Sequence, residues 1–202
     1  MKKIMFNDKY GLTKAVLEGK KTQTRRVVPK DFFSLNWDVK ERTLVYENDF
    51  GDFVDIRNSK YALFHVGEIV AVAQKYSDCG GVLENGIPRW KYISKIVGNT
   101  SGGWTNKMFV KPELMPHQIR ITAVRVERLQ DISDEDCLKE GISPMIVGCE
   151  YYVFTLIDTE KGRFLDYKTP REAYAALIDK VSGKGTWDKN PYVFVYDFEL
   201  IK

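Results

Sequence analysis

Ile119-Arg120-Ile121-Thr122-Ala123-Val124-Arg125-Val126 alternates apolar and polar side chains in two registers, offset by one residue. Strand side chains point alternately to opposite faces, so a one-residue slip would turn the buried set outward. A β-bulge at Ala123 reconciles the two halves and predicts one long, half-buried strand. A second long strand lies at the far end of the chain. Tyr192-Val193-Phe194-Val195-Tyr196-Asp197-Phe198-Glu199-Leu200 is apolar on both faces at first and then alternates. Ile69-Val70-Ala71-Val72-Ala73, entered from Gly67, is a short apolar run bounded by turn residues and predicts a buried strand. Residues 43–57 predict a hairpin, with Leu44-Val45-Tyr46 and Phe53-Val54-Asp55-Ile56 flanking the turn-forming Asn48-Asp49-Phe50-Gly51-Asp52.

Helix signals are fewer. Leu12, Ala15 and Val16 recur at helical spacing, and Gly19 stops a helix that ends near Glu18. Ser133 is an N-cap with Asp136 at the capping-box position, Ile132 can staple to Cys137, and Gly141 ends the helix after about two turns. Thr169-Pro170-Arg171-Glu172 supplies an N-cap, an N1 proline and a capping-box glutamate. Tyr174, Leu177, Ile178 and Val181 then line one face, with Gly183 as the stop. Residues 77–104, rich in Gly, Asn and Ser, predict a loop-bearing insertion. Strands outnumber helices and no βαβ rhythm appears. The class is therefore α+β, mainly β: a small barrel or strongly bent sheet with two or three peripheral helices. A length of 202 residues suits one domain over residues 1–202, with insertions near 31–65 and 77–110.

Composition narrows the setting. The 31 basic and 28 acidic side chains leave a net charge of +3, which permits a nucleic-acid partner without demanding one. The apolar stretch near the N-terminus is three residues, Ile4-Met5-Phe6, where a secretory signal needs roughly seven. No segment approaches the roughly 18 apolar residues of a membrane span. The three cysteines, Cys79, Cys137 and Cys149, are odd in number and widely spaced. These features predict a cytoplasmic protein without a disulfide framework.

No P-loop, dinucleotide fingerprint, nucleophile-elbow or zincin motif is present. His65 and His117 are isolated, so neither a zinc site nor a histidine-centred triad is expected, and no cofactor is implied. The densest basic run is Lys20-Lys21-Thr22-Gln23-Thr24-Arg25-Arg26. It can contact phosphate and base through charge, forked donors and hydroxyls, or serve simply as a solvated turn after a helix. In a straight strand Lys21 and Thr24 would face opposite sides, so joint action requires a bend between them. Glu140 sits at a helix C-terminus, where the dipole disfavours an anion by roughly 0.3–1 kcal/mol. That violation points weakly to function; the plain alternative is an exposed glutamate softened by Lys139. Tyr76 and Trp187 are candidates to stack on a base, whereas Tyr196 and Phe198 are expected in the core.

Val16-Leu17-Glu18-Gly19-Lys20-Lys21-Thr22-Gln23-Thr24-Arg25-Arg26 resembles the opening motif of ASCH-domain proteins, especially the longer phage and prophage type. Val66–Val70, Arg120–Ser133 and Trp187 with Asn190–Val195 fit the same type in order. The resemblance implies a PUA-like β-barrel with flanking helices and a cleft for RNA or a nucleotide. One short bacterial branch of that family hydrolyses N4-acetylcytidine with a lysine, a threonine and a glutamate. By motif position these match Lys21, Thr24 and Glu140. Lys20, Thr22, Arg25, Arg26, Tyr76 and Trp187 would then surround a modified nucleoside or RNA. The sequence departs from the phage pattern where an arginine and a glutamate are replaced by Ala73 and Gln74. If those positions line the pocket, its charge has changed. Three functions stay open at this point: a nucleobase- or RNA-binding module, an amidohydrolase of N-acylated nucleosides, and a non-catalytic phage accessory protein acting through protein contacts.

Overall fold

The computed structural model describes residues 1–29, 36–38, 43–47, 50–147 and 151–201. In chain order the elements are β1 (Lys2–Ile4), α1 (Leu12–Leu17), β2 (Gln23–Val27), β3 (Asn36–Asp38), β4 (Thr43–Glu47), β5 (Phe53–Asp55), β6 (Ile69–Val72), α2 (Arg89–Val97), β7 (Gln118–Arg128), α3 (Asp134–Lys139), β8 (Ser143–Val147), β9 (Tyr151–Asp158), β10 (Arg163–Tyr167), α4 (Pro170–Ser182), α5 (Thr186–Lys189) and β11 (Tyr192–Ile201). The class is α+β and mostly sheet.

The main sheet has the order β1-β6-β7-β11-β2. β1 runs parallel to β6, and the other pairs are antiparallel. Its centre is the long β7–β11 pair, which runs from Tyr192↔Arg128 to Ile201↔Gln118. The register shifts where Asp197 faces Ala123 and Phe198 faces Ile121, leaving Thr122 as the extra residue beside the expected bulge. The sheet is open, with β1 and β2 as its edges. The edges nevertheless approach each other: Arg26 Nη2 on β2 donates to the Met5 carbonyl just after β1, at 2.9 Å. The rings of Phe6 and Phe198 meet at 5.7 Å.

Smaller sheets flank this one. β3-β4-β5 contains the expected hairpin, with Val45 opposite Asp55, and its turn residues Asn48 and Asn-following Asp49 fall outside the described residues. The β8-β9-β10 meander, residues 143–167, was not foreseen from the sequence. Five helices, rather than two or three, occur among the described residues. The additions are α5 and α2, and α2 lies inside the stretch expected to be loop. It forms because Ile93, fully buried, anchors one face on a second apolar cluster of Ala71, Ala73, Tyr76, Cys79, Val110 and Met115. Gly103 belongs to that packing: a Cβ there would lie 2.3 Å from Cε2 of Tyr76.

The N-caps are as the sequence predicts, but the capping-box acids are engaged elsewhere, Asp136 with Arg25 and Arg125 and Glu172 with Lys168 N. Ser133 Oγ accepts from Asp136 N at 3.1 Å, and Thr169 Oγ1 accepts from Glu172 N at 3.1 Å. Tyr174, Leu177 and Ile178 are buried by α4, while Val181 stays exposed. No helix among the described residues is long and apolar enough to cross a membrane.

Candidate functional site

The site grows from the link between α1 and β2. Gly19, at φ +71°, reverses the chain, and Lys20 N and Lys21 N both donate to Ala15 O. β2 begins only at Gln23, so Lys21 precedes the strand. This supplies the bend needed between Lys21 and Thr24, and both side chains line one cavity of about 70 Å³. Its other walls include Phe6, Leu12, Glu140 and, from α4, Tyr174, Leu177 and Ile178.

Lys21 is 2% exposed. Its Nζ donates to Glu140 Oε2 at 2.6 Å, Glu140 O at 2.7 Å and Gln23 O at 2.7 Å. Burial draws the Lys21 ammonium below the ordinary lysine value, the Glu140 carboxylate opposes this, and the Arg26 and Arg25 charges add to the lowering. Glu140 caps α3 at its C-terminus and is 3% exposed, not a surface glutamate. Its unfavourable place on the helix dipole is offset by two cations, since Arg25 Nη1 reaches Glu140 Oε1 at 3.1 Å. Thr24 is also buried, and among the described residues its hydroxyl has no hydrogen-bond partner.

Arg25 is not a free phosphate contact. Its side chain is fully buried and bonds Gln23, Glu127, Asp136 and Glu140. Register explains the cluster. Arg25, Val195 and Arg125 form one row across β2, β11 and β7, next to the row of Val27, Val193 and Glu127. Arg125 binds Glu127, Asp136 and Asp197, and Gln23 Nε2 binds Asp197 Oδ1 at 2.6 Å. Burial alone would raise Asp136, but the Arg25 hydrogen bond and the Arg125 and Arg25 charges leave its carboxyl below the usual range. These partners were missed from sequence; the available signal was the matching alternation of β2, β7 and β11.

The remaining candidates separate. Arg26 is half-buried, lines the cavity and has no carboxylate partner among the described residues. Lys20 is exposed, pairs with Glu18 at 2.6 Å and lines a different hollow beside Lys14 and Thr155. Thr22 is held by its backbone, donating to Lys139 O and accepting from Phe198 N. Tyr76 is fully buried: it packs on Trp104 at 5.5 Å and its hydroxyl accepts from Lys111 N. It cannot stack on a base, because the second core encloses it. Trp187 is partly buried, edge-on to Tyr174 at 6.2 Å and 5.1 Å from the Arg171 guanidinium, outside the cavity lining.

Ala73 and Gln74 do not line the cavity either. Ala73 is core, and Gln74 Oε1 meets His117 Nδ1 at 2.8 Å. These two positions therefore contribute nothing to the walls of the Lys21 cavity. Among the described residues no group of three His, Cys, Asp or Glu side chains could hold a metal ion. Burial pushes the Cys79 thiol up to about 11 and that of Cys137 to about 12, so neither is a poised nucleophile; Cys149 lies outside the described residues. The chain matches no protein-family model, no curated protein and no solved structure.

Proposed function

We propose that this chain is an ASCH-type, PUA-like protein whose Lys21–Thr24–Glu140 cavity hydrolyses the amide of an N-acylated nucleobase such as N4-acetylcytidine. The observation that carries this reading is a buried lysine, tuned by a carboxylate, sharing a small cavity with a threonine hydroxyl that has no hydrogen-bond partner among the described residues. The motif resemblance supports the substrate class. The approach of β2 to the chain after β1 supports a sheet curled toward a barrel.

Each group has a role consistent with its surroundings. Lys21, in its neutral form, takes the Thr24 hydroxyl proton as Thr24 Oγ1 attacks the acyl carbonyl carbon. The C–N bond breaks, and the Lys21 ammonium returns that proton to the departing amino group. Water then attacks the threonyl ester, with Lys21 taking its proton and passing it to Thr24 as the acid leaves. Glu140 orients the amine while both its oxygens stay engaged by cations, so it positions Lys21 and does not shuttle protons. An oxyanion donor follows from strand register. Thr22 O and Val28 N bond to β11, so the even residues of β2 turn their backbone groups to β11 and the odd ones to the open edge. The Arg25 N–H, next to the nucleophile, thus points to the open edge of the strand, and we assign it to the oxyanion.

One observation favours a non-hydrolytic, nucleobase-binding module instead. Three acceptors saturate Lys21 Nζ, which suits a resting ammonium without a lone pair. Hydrolysis assays on N4-acetylcytidine and other N-acyl nucleosides separate the two. Turnover is the expected result; binding without turnover would leave the module reading in its place.

A further inference from the structure

Arg26 opens onto a second space. A groove of about 320 Å³ runs beside the cavity and shares Arg25, Arg26 and Ser182 with it. Val27, Thr186, Lys189 and Pro191 complete its lining. That volume falls in the range of small-ligand sites, whereas the cavity alone is too small for a nucleoside.

The charge in this groove is one-sided. Among the described residues no acidic side chain lines it. Arg26 uses one donor on Met5 O and keeps its others without a carboxylate among the described residues. Lys189 is exposed and has no ion pair among the described residues. Of the nearby acids, Glu140 is committed to Lys21 and Arg25, and Asp179 to the backbone N–H groups of Gly185 and Trp187, while Asp188, beside Lys189 on α5, is exposed and outside the lining. The Thr186 hydroxyl is also committed, to the Ser182 and Gly183 carbonyls, so the available donors are Arg26, Lys189 and the Ser182 hydroxyl. A guanidinium fork, an ammonium and a hydroxyl around a space without counter-charge are the donor set of a phosphate site.

We infer that the groove is a phosphate subsite, so the ligand of the Thr24 centre is a phosphorylated nucleotide, free or within a strand, and not a bare nucleoside. The substrate assignment rests on the function proposed above; the anion site itself does not. With the acyl group in the cavity at Thr24, the remainder of the nucleotide extends along the open edge of β2, and its phosphate lies between Arg26 and Lys189.

The test is equilibrium binding at low salt of cytidine, cytidine 5′-monophosphate and a short single-stranded oligocytidylate. Parent protein is compared with Lys189→Ala, Lys189→Glu and Arg26→Gln. Lys189 is exposed, so its variants fold. The monophosphate should bind the parent about tenfold more tightly than cytidine, an advantage that shrinks in Lys189→Glu and with added salt. If only the oligomer shows that gain, the phosphate comes from a strand; if the monophosphate shows it, from a free nucleotide. Equal binding of all three probes by the parent, or indifference of every phosphate-dependent gain to Lys189→Glu, overturns the subsite. Failure of the hydrolysis reading would show separately, as no turnover of N4-acetylcytidine, because binding is read without turnover.

Discussion

Arg25 and Arg26 are adjacent in sequence and opposite in fate. Arg25 lies on the face of β2 covered by α3, fully buried among Gln23, Glu127, Asp136 and Glu140. Arg26 points the other way, bonds one backbone carbonyl and opens onto a groove without acids among the described residues. Strand alternation divides a basic run that reads as one patch into a half committed to buried ion pairs and a half without a carboxylate partner among the described residues. The lesson is that charge in a strand is to be sorted by parity before it is assigned to a partner.

The largest expected effect comes from the carboxylate that serves both Lys21 and Arg25. Glu140→Ala leaves the buried Lys21 without its carboxylate and takes one of three from Arg25, and urea unfolding should show a loss of about 3–5 kcal/mol. A loss below about 1 kcal/mol would mean that the junction is solvated. The comparison of the arginines follows. Arg25→Ala should cost about 3 kcal/mol or more, because Glu127, Asp136 and Glu140 lose a common cation. Arg26→Ala should cost about 1 kcal/mol, the value of one exchanged hydrogen bond. Equal losses would break the division between the two faces.

A smaller effect is expected in acid. The folded carboxyl of Asp136 lies below its ordinary value of 3.8, so the unfolded chain binds the proton first. Its contribution is complete above that value and is lost as pH falls through the folded one. The stability gap between parent and Asp136→Asn should therefore narrow on acidification. A gap independent of pH would contradict its pairing with Arg25 and Arg125.

What could be read from sequence was local. The caps at Ser133 and Thr169, the stop at Gly19 and the bulge beside Ala123 each depend on a few neighbouring residues, and each is present. What could not be read depends on distant partners. Glu140 looks exposed from its helix position and is buried only because Lys21, 119 residues away in sequence, reaches it. Tyr76 looks available until Trp104 and Gly103 close over it. The helix at Arg89–Val97 is hidden among glycines and polar residues, since one residue, Ile93, provides most of its buried face. Lys21 and Thr24 were legible as candidates, but the bend that places them together became visible only in the α1–β2 link.

The proposed function makes Thr24 the nucleophile of an amide-hydrolysing centre. The most direct measurement is N4-acetylcytidine turnover by the parent, Thr24→Ala and Thr24→Ser side by side, with circular dichroism confirming the fold. The expected result is turnover by the parent, loss of at least about a hundredfold in Thr24→Ala and partial retention in Thr24→Ser. Parental rates in Thr24→Ala would contradict it.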